Sequence, residues 1–156
     1  MELVAVVTAL VRTCGSTAWI SLMHGSAAMT VAAAPPPILP DLLPALATGR
    51  SLGTLAFSEA GSRSHFWAPV SKAKHSGSDV RVDVAKSLVT SAGHADVYVT
   101  STGNVDADTV DLFAIPAKQP GVTVAGTWTG LGLRGNAYNQ TYLSEQVSER
   151  ARIGSD

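Results

Sequence analysis

LGTLAFSEAGSRSH, residues 52–65, and AKSLVTSAGHAD, residues 85–96, decide how this chain is read. Each holds a short strand with polar ends that runs into a turn rich in Ser, Thr and Gly. Ser58, Glu59, Gly61, Ser62 and Ser64 crowd the first turn, and Thr90, Ser91 and Gly93 the second. Small hydroxyls and glycines let a backbone approach a ligand closely and offer it many N–H and O–H donors. That suits a phosphate or a polar heterocycle. Most such turns are only turns, so this composition alone leaves both readings open.

Outward from these stretches the apolar period is two. GTLAFS reads as a strand, and WAPVSKAK, residues 67–74, as a second, with HSGSD as a hairpin turn. Val80, Val82 and Val84 alternate with Arg81 and Asp83, and the strand continues through Ser87–Thr90 after a kink. Val97 and Val99 alternate with Tyr98 and Thr100. Asn104–Asp108 turns the chain, Leu112, Ala114 and Pro116 lead on, and VTVAGTWTG follows. Short strands separated by turn signals argue for an antiparallel sandwich or barrel. A third glycine-rich segment, GLGLRGNA at 130–137, falls at the far end of the same sheet.

Upstream, LVAVVTALV and AWISLMHGSAAMTVAAA read as two helices, apolar almost all round and so expected to be buried. Gly15 is expected to end the first, and Ser16 or Thr17 to cap the second. Glu2 and the absence of an early Lys or Arg argue against a secretory signal. Thr17, Ser21, His24, Gly25, Ser26 and Thr30 argue against a membrane span. Pro35–Pro37 stop the second helix, and LPDLLPALATG is a short third helix closed by Gly49. Downstream of Ala137, YNQTYLSEQVSERARIGSD reads as a polar tail, a frayed helix or disordered. The sequon Asn139-Gln140-Thr141 is read as chance. The expected organisation is a helical segment over 1–50, a β-domain over 51–137 and a divergent tail over 138–156.

The 156 residues suffice for one domain, with a net charge of −1, 15% charged residues and no basic run, which argues against a nucleic-acid partner. The single cysteine, Cys14, allows no internal disulfide and reads as a small buried residue. His24, His65, His75 and His94 are scattered and form no metal motif.

The three glycine-rich segments, SEAGSRSH, KSLVTSAGHAD and GLGLRGNA, resemble in order and spacing those of the acyl-CoA dehydrogenase family. There they read T/S-E-P-G-x-G-S-D, K-x-W-I/V-T-N/S-x-G/A and G-L/I/M-R-G/A-S/N. RTCGSTAWISLMH, residues 12–24, resembles the end of that family's N-terminal helical domain. The resemblance implies an α+β chain: short N-terminal helices, then an antiparallel β-barrel like the family's middle domain. It implies FAD as cofactor, an acyl-CoA thioester as substrate, an electron-transfer flavoprotein-like acceptor, and a homo-oligomer, often a tetramer. Localisation is expected to be cytoplasmic, with no membrane partner.

Carried over by residue, Leu55, Phe57 and Ser58 border the flavin, and Ser58 hydrogen-bonds its pyrimidine edge. Gly61 and Ser64 contact the pyrophosphate, and Ser64 also approaches the acyl-CoA. Thr90 lies near flavin N5, and Leu88 stands where the family has an aromatic residue. The competing readings are a strand-end cap for Ser58 and Thr90, and ordinary core for Phe57 and Leu88. His24 is a packing or substrate-side residue. Ala60, Arg63 and His65 replace the family's proline, glycine and acid. The family's catalytic glutamate comes from a C-terminal helical domain, so no catalytic residue is assigned here, Glu145 and Glu149 included. The chain alone is expected to be inactive. The alternative is a non-catalytic flavin- or nucleotide-binding or assembly module that pairs with another chain.

Overall fold

The computed structural model describes residues 3–63, 65 and 67–154. Helices α1 (Leu3–Val11), α2 (Gly15–Ala33) and α3 (Leu42–Ala47) precede strands β1 (Gly53–Ala56), β2 (Lys74–Ser76), β3 (Asp79–Val89), β4 (Val97–Gly103), β5 (Val110–Pro116), β6 (Val122–Ala125), β7 (Asn139–Ser148) and β8 (Arg152–Ile153), with a short 3₁₀ turn at Glu149–Ala151. The α+β class holds. The strands form two four-stranded sheets, ordered β1-β4-β5-β8 and β2-β3-β7-β6, rather than one closed barrel. One pair, β1 with β4, is parallel. The chain between them passes through the whole β2–β3 hairpin, long enough to return it in the same direction.

The layers are helices, first sheet, second sheet. Between the sheets lie Val80, Val82 and Val84 of β3, Tyr98 of β4, Phe113 and Ile115 of β5, and Leu143 of β7. Ala27, Val31, Leu46, Val97, Val99 and Ala114 fill the space between the first sheet and α2 and α3. β4 is therefore covered on both faces. The alternation of β3 carries the second sheet: its three valines are buried while Arg81, Asp83 and Ala85 face out. Each such valine contributes roughly 1.5–3 kcal/mol by burial.

The turns follow their residues. Gly49 takes φ +72, and Arg50 N–H to Ala45 O (3.0 Å) with Gly49 N–H to Leu46 O (3.1 Å) closes α3 as expected. Ser76 pairs with Asp79 across Gly77 (φ +65), the hairpin expected at HSGSD.

Five expectations are corrected, the burial of Cys14 among them. The polar tail is a strand: β7 lies between β3 and β6, with Thr141, Leu143 and Val147 buried and Tyr142 and Gln146 exposed. Its solvent-facing positions are polar, which hid the alternation. WAPVSKAK is not a strand except for a bridge from Lys72 to Gly103 and the start of β2 at Lys74. Pro69 lacks a donor, and the N–H groups of Val70 and Ser71 go to the Glu59 carboxylate instead of a neighbouring strand. The N-terminal helices are not buried all round: α1 buries no residue and α2 only Ala18, Ala27 and Val31. They cover one face of a sheet, so only α2's inward stripe is enclosed. Gly15 opens α2 instead of ending α1, and the cap position is an extended Cys14, which is exposed. Among the described residues no helix is long and apolar enough to cross a membrane.

Candidate functional site

A buried ion pair ties the first two motifs together. Lys86, fully buried, donates to Glu59 Oε1 (2.6 Å), Ser101 O (2.6 Å) and Ser101 Oγ (3.3 Å). Glu59 Oε2 accepts the N–H groups of Val70 (2.9 Å) and Ser71 (2.8 Å), and Oε1 accepts the Ser71 hydroxyl (2.6 Å). Burial pushes the Glu59 carboxyl up, but hydrogen bonds from Lys86 and Ser71 outweigh it and hold the carboxyl below its ordinary value. Burial likewise pulls the Lys86 ammonium down, with Glu59 opposing. Ser87 N–H donates to Ser58 O at 2.8 Å, completing the link.

A break in register between Lys86 and Val89 then decides which side chains face the helices. Normal alternation from Lys86 would bury Leu88; the bulge buries Val89 instead and leaves Leu88 42% exposed. Leu88 and Thr90 thereby line a cavity of about 170 Å³ together with Leu55, Phe57 and Ser58 of the first motif. Trp19 and Met23 of α2 and Tyr138 complete its wall. Trp19 Nε1–H donates to Thr90 Oγ1 at 2.9 Å. The Thr90 oxygen is thus fixed as an acceptor, and among the described residues none accepts its own hydrogen. Burial pushes the Tyr138 phenol up.

The third motif closes on the second. Ser91 N–H donates to Asn136 O (2.8 Å) and Ala92 N–H to Ala137 O (3.0 Å), while Gly135 N–H reaches Ser16 Oγ of α2 (3.2 Å). Ser91, Leu133 and Ala137 hold φ of +56, +56 and +46, uncommon for side-chain-bearing residues.

Five of the seven expected site residues, Leu55, Phe57, Ser58, Leu88 and Thr90, therefore line one cavity. Gly61 does not: it is exposed in the loop beyond Glu59, at φ +93. Ser64 lies outside the described residues. Arg63 is exposed, at φ +51. His24 packs: Gly53 N–H donates to its Nδ1 (3.1 Å), so the ring proton sits on Nε2, which donates to Leu46 O (3.2 Å). Both nitrogens serve to join α2 to α3 and β1. The reading from sequence missed Trp19, Met23, Tyr138 and the Glu59–Lys86 pair. Trp19 and Met23 stand four apart on one face of α2, within the segment 12–24 that resembles the family's helical domain, and these were the signals that could have found them.

A family model for the acyl-CoA dehydrogenase middle domain matches residues 54–145, more than half of the 156. No curated protein matches the chain. Among solved structures, butyryl-CoA dehydrogenase from Megasphaera elsdenii is similar over 96% of this chain and 41% of its own, with 16% identity and a TM-score of 0.87. Glutaryl-CoA dehydrogenase from Mycobacterium smegmatis, solved with FADH2, is similar over 86% of this chain and 35% of its own, with 22% identity and a TM-score of 0.77. An FAD-dependent dehydrogenase shares 27% identity over 88% of this chain and 38% of its own, with a TM-score of 0.79. The chain spans about two-fifths of the length of these structures. Its ordered motifs, its two sheets and the family match over residues 54–145 show that the chain belongs to the acyl-CoA dehydrogenase family, through the middle domain.

Proposed function

We propose that the chain forms the flavin-facing part of an FAD-dependent acyl-CoA dehydrogenase, an oxidoreductase acting on the CH–CH bond of acyl-CoA thioesters. What supports this reading is the cavity where Trp19, Phe57, Leu55 and Leu88 offer apolar walls while Ser58 and the uncommitted Thr90 hydrogen offer donors. That donor set fits a flat heterocycle with an apolar body and a polar edge. FAD, when bound, supplies the acceptor for a hydride equivalent. Ser58 and Thr90 would hold and orient it, Leu55, Phe57 and Leu88 would exclude water, and Gly61 and Ser64 would meet its pyrophosphate and the thioester chain. The domain boundary at 50 and a cytoplasmic location belong to the same proposal. So do the acyl-CoA and electron-transfer flavoprotein partners and a homo-oligomer.

No carboxylate among the described residues lines this cavity. Glu59 is committed to Lys86 and Ser71, Glu145 to the Gly121 N–H, and Glu149 to Arg152 at 2.7 Å. The base that takes the α-proton is therefore to be supplied by residues other than these, and the chain alone turns over no acyl-CoA. Titration of the purified chain with FAD, followed by flavin absorbance and Trp fluorescence, tests the proposal. Saturable binding is expected; a folded chain that leaves FAD unbound would overturn it. Turnover of an acyl-CoA by the chain alone, with an artificial electron acceptor, would overturn the assignment of the base.

One observation favours the alternative, an assembly module without catalysis of its own. Helix α1 buries nothing, and Val4, Val11 and Met29 are exposed at 72%, 57% and 56%. Such a surface fits a partner chain. Size-exclusion chromatography that finds a stable, soluble monomer at high concentration would count against it.

A further inference from the structure

We propose a second binding site, for a short aliphatic carboxylate, in a cavity on the other side of the turn that follows Thr90. The cavity is about 260 Å³, far above the roughly 10–15 Å³ that one water needs. Its floor is Tyr98, 1% exposed. The Tyr98 oxygen accepts the Gly93 N–H at 3.0 Å, so the single phenolic hydrogen has to be donated elsewhere, and no described residue accepts it. A buried donor without an acceptor is uncommon and costly. Lys118 and His94 stand at the same cavity, both exposed. A phenol O–H, an ammonium and an imidazole N–H together call for an acceptor, best an oxyanion. Val122 and Val124 form an apolar wall beside them, which suits a short hydrocarbon body and not a free phosphate.

Asp96 also lines the cavity, and its Oδ2 is occupied by the Leu52 N–H at 2.8 Å. Its charge opposes an anion, which makes it a probe of the ligand's sign. The site is independent of the flavin reading: Gly93 and His94 face it, whereas Thr90 faces the other cavity. An occupant would clamp the turn that joins the two.

The test is a titration of the full chain, without flavin, with butyrate and separately with inorganic phosphate, following the Gly93 amide by NMR. Butyrate is expected to bind saturably at one site and to shift that amide. Lys118→Ala should weaken binding about tenfold, as loss of a charge-assisted hydrogen bond does, and Tyr98→Phe about fivefold. Asp96→Asn should tighten it. Lys118 and Asp96 are exposed, so these variants keep the test valid should Tyr98→Phe fold poorly. No saturable binding, unchanged affinity in Lys118→Ala, or weaker binding in Asp96→Asn would overturn the site. Phosphate binding more tightly than butyrate would overturn the carboxylate class.

Discussion

Lys86 shows how a residue outside the cavity can govern it. Its ammonium is buried between Glu59, which leads into the first turn, and Ser101 of β4. Glu59→Ala would leave that charge enclosed and unpaired, a loss of about 3–5 kcal/mol. Urea denaturation should find the midpoint of this variant shifted well down, since a domain of this size holds only about 5–15 kcal/mol in total; an unshifted midpoint would show that the charge is not enclosed. The same pair sets a pH dependence. The Glu59 carboxyl lies below its ordinary value of 4.5 in the folded chain, so the unfolded chain takes up protons first as pH falls. Its stabilisation is complete above about pH 4.5 and is lost as pH drops through the lower native value. Glu59→Gln should flatten the acid limb of a stability-against-pH curve; an unchanged limb would show that other carboxylates set it. Neither the pair nor its partners were legible in the sequence. Glu59 and Lys86 lie 27 positions apart, and only the fold reveals that both are buried.

Among the elements, β3 was legible because its apolar inward and polar outward residues share one period, and β4 because Val97 and Val99 alternate with Tyr98 and Thr100, although both its faces are covered. β7 was not, since its polar outward face reads as a soluble tail by composition. WAPVSKAK misled in the other direction. Its apolar residues suggest a strand, but a side chain takes the N–H groups that a strand would have used. Of the cavity, Leu55, Phe57, Ser58, Leu88 and Thr90 were legible through their motifs, whereas Trp19 and Tyr138 come from 71 and 48 positions away from Thr90. Two predictions belong at this scale. Removing residues 138–156 deletes β7 and leaves β3 and β6 without their shared neighbour. The shortened chain should lose its cooperative unfolding transition by circular dichroism, whereas a dispensable tail would leave that transition intact. Gly49→Ala meets no atom within 4 Å, so its cost is the φ of +72 alone, roughly 1–2 kcal/mol. A thermal melt should shift down accordingly, and an unshifted melt would mean that the turn adapts.

Over the whole molecule, three layers bring three sequence-distant turns to one end of α2. The helices cap the first sheet, the second sheet closes the opposite face, and the Glu59–Lys86 pair and the Ser91–Asn136 backbone bond lock the turns to each other. The result is a cavity whose hydroxyl donor is aimed by an indole. Comparing FAD affinity among the wild-type chain, Thr90→Val and Thr90→Ser tests this most directly. Loss of one hydrogen bond worth about 1 kcal/mol should raise the Kd of Thr90→Val roughly fivefold, and Thr90→Ser, which keeps the hydroxyl, should bind nearly as wild type. Equal affinity in all three, or no binding by the folded wild-type chain, would contradict a flavin-facing role for Thr90.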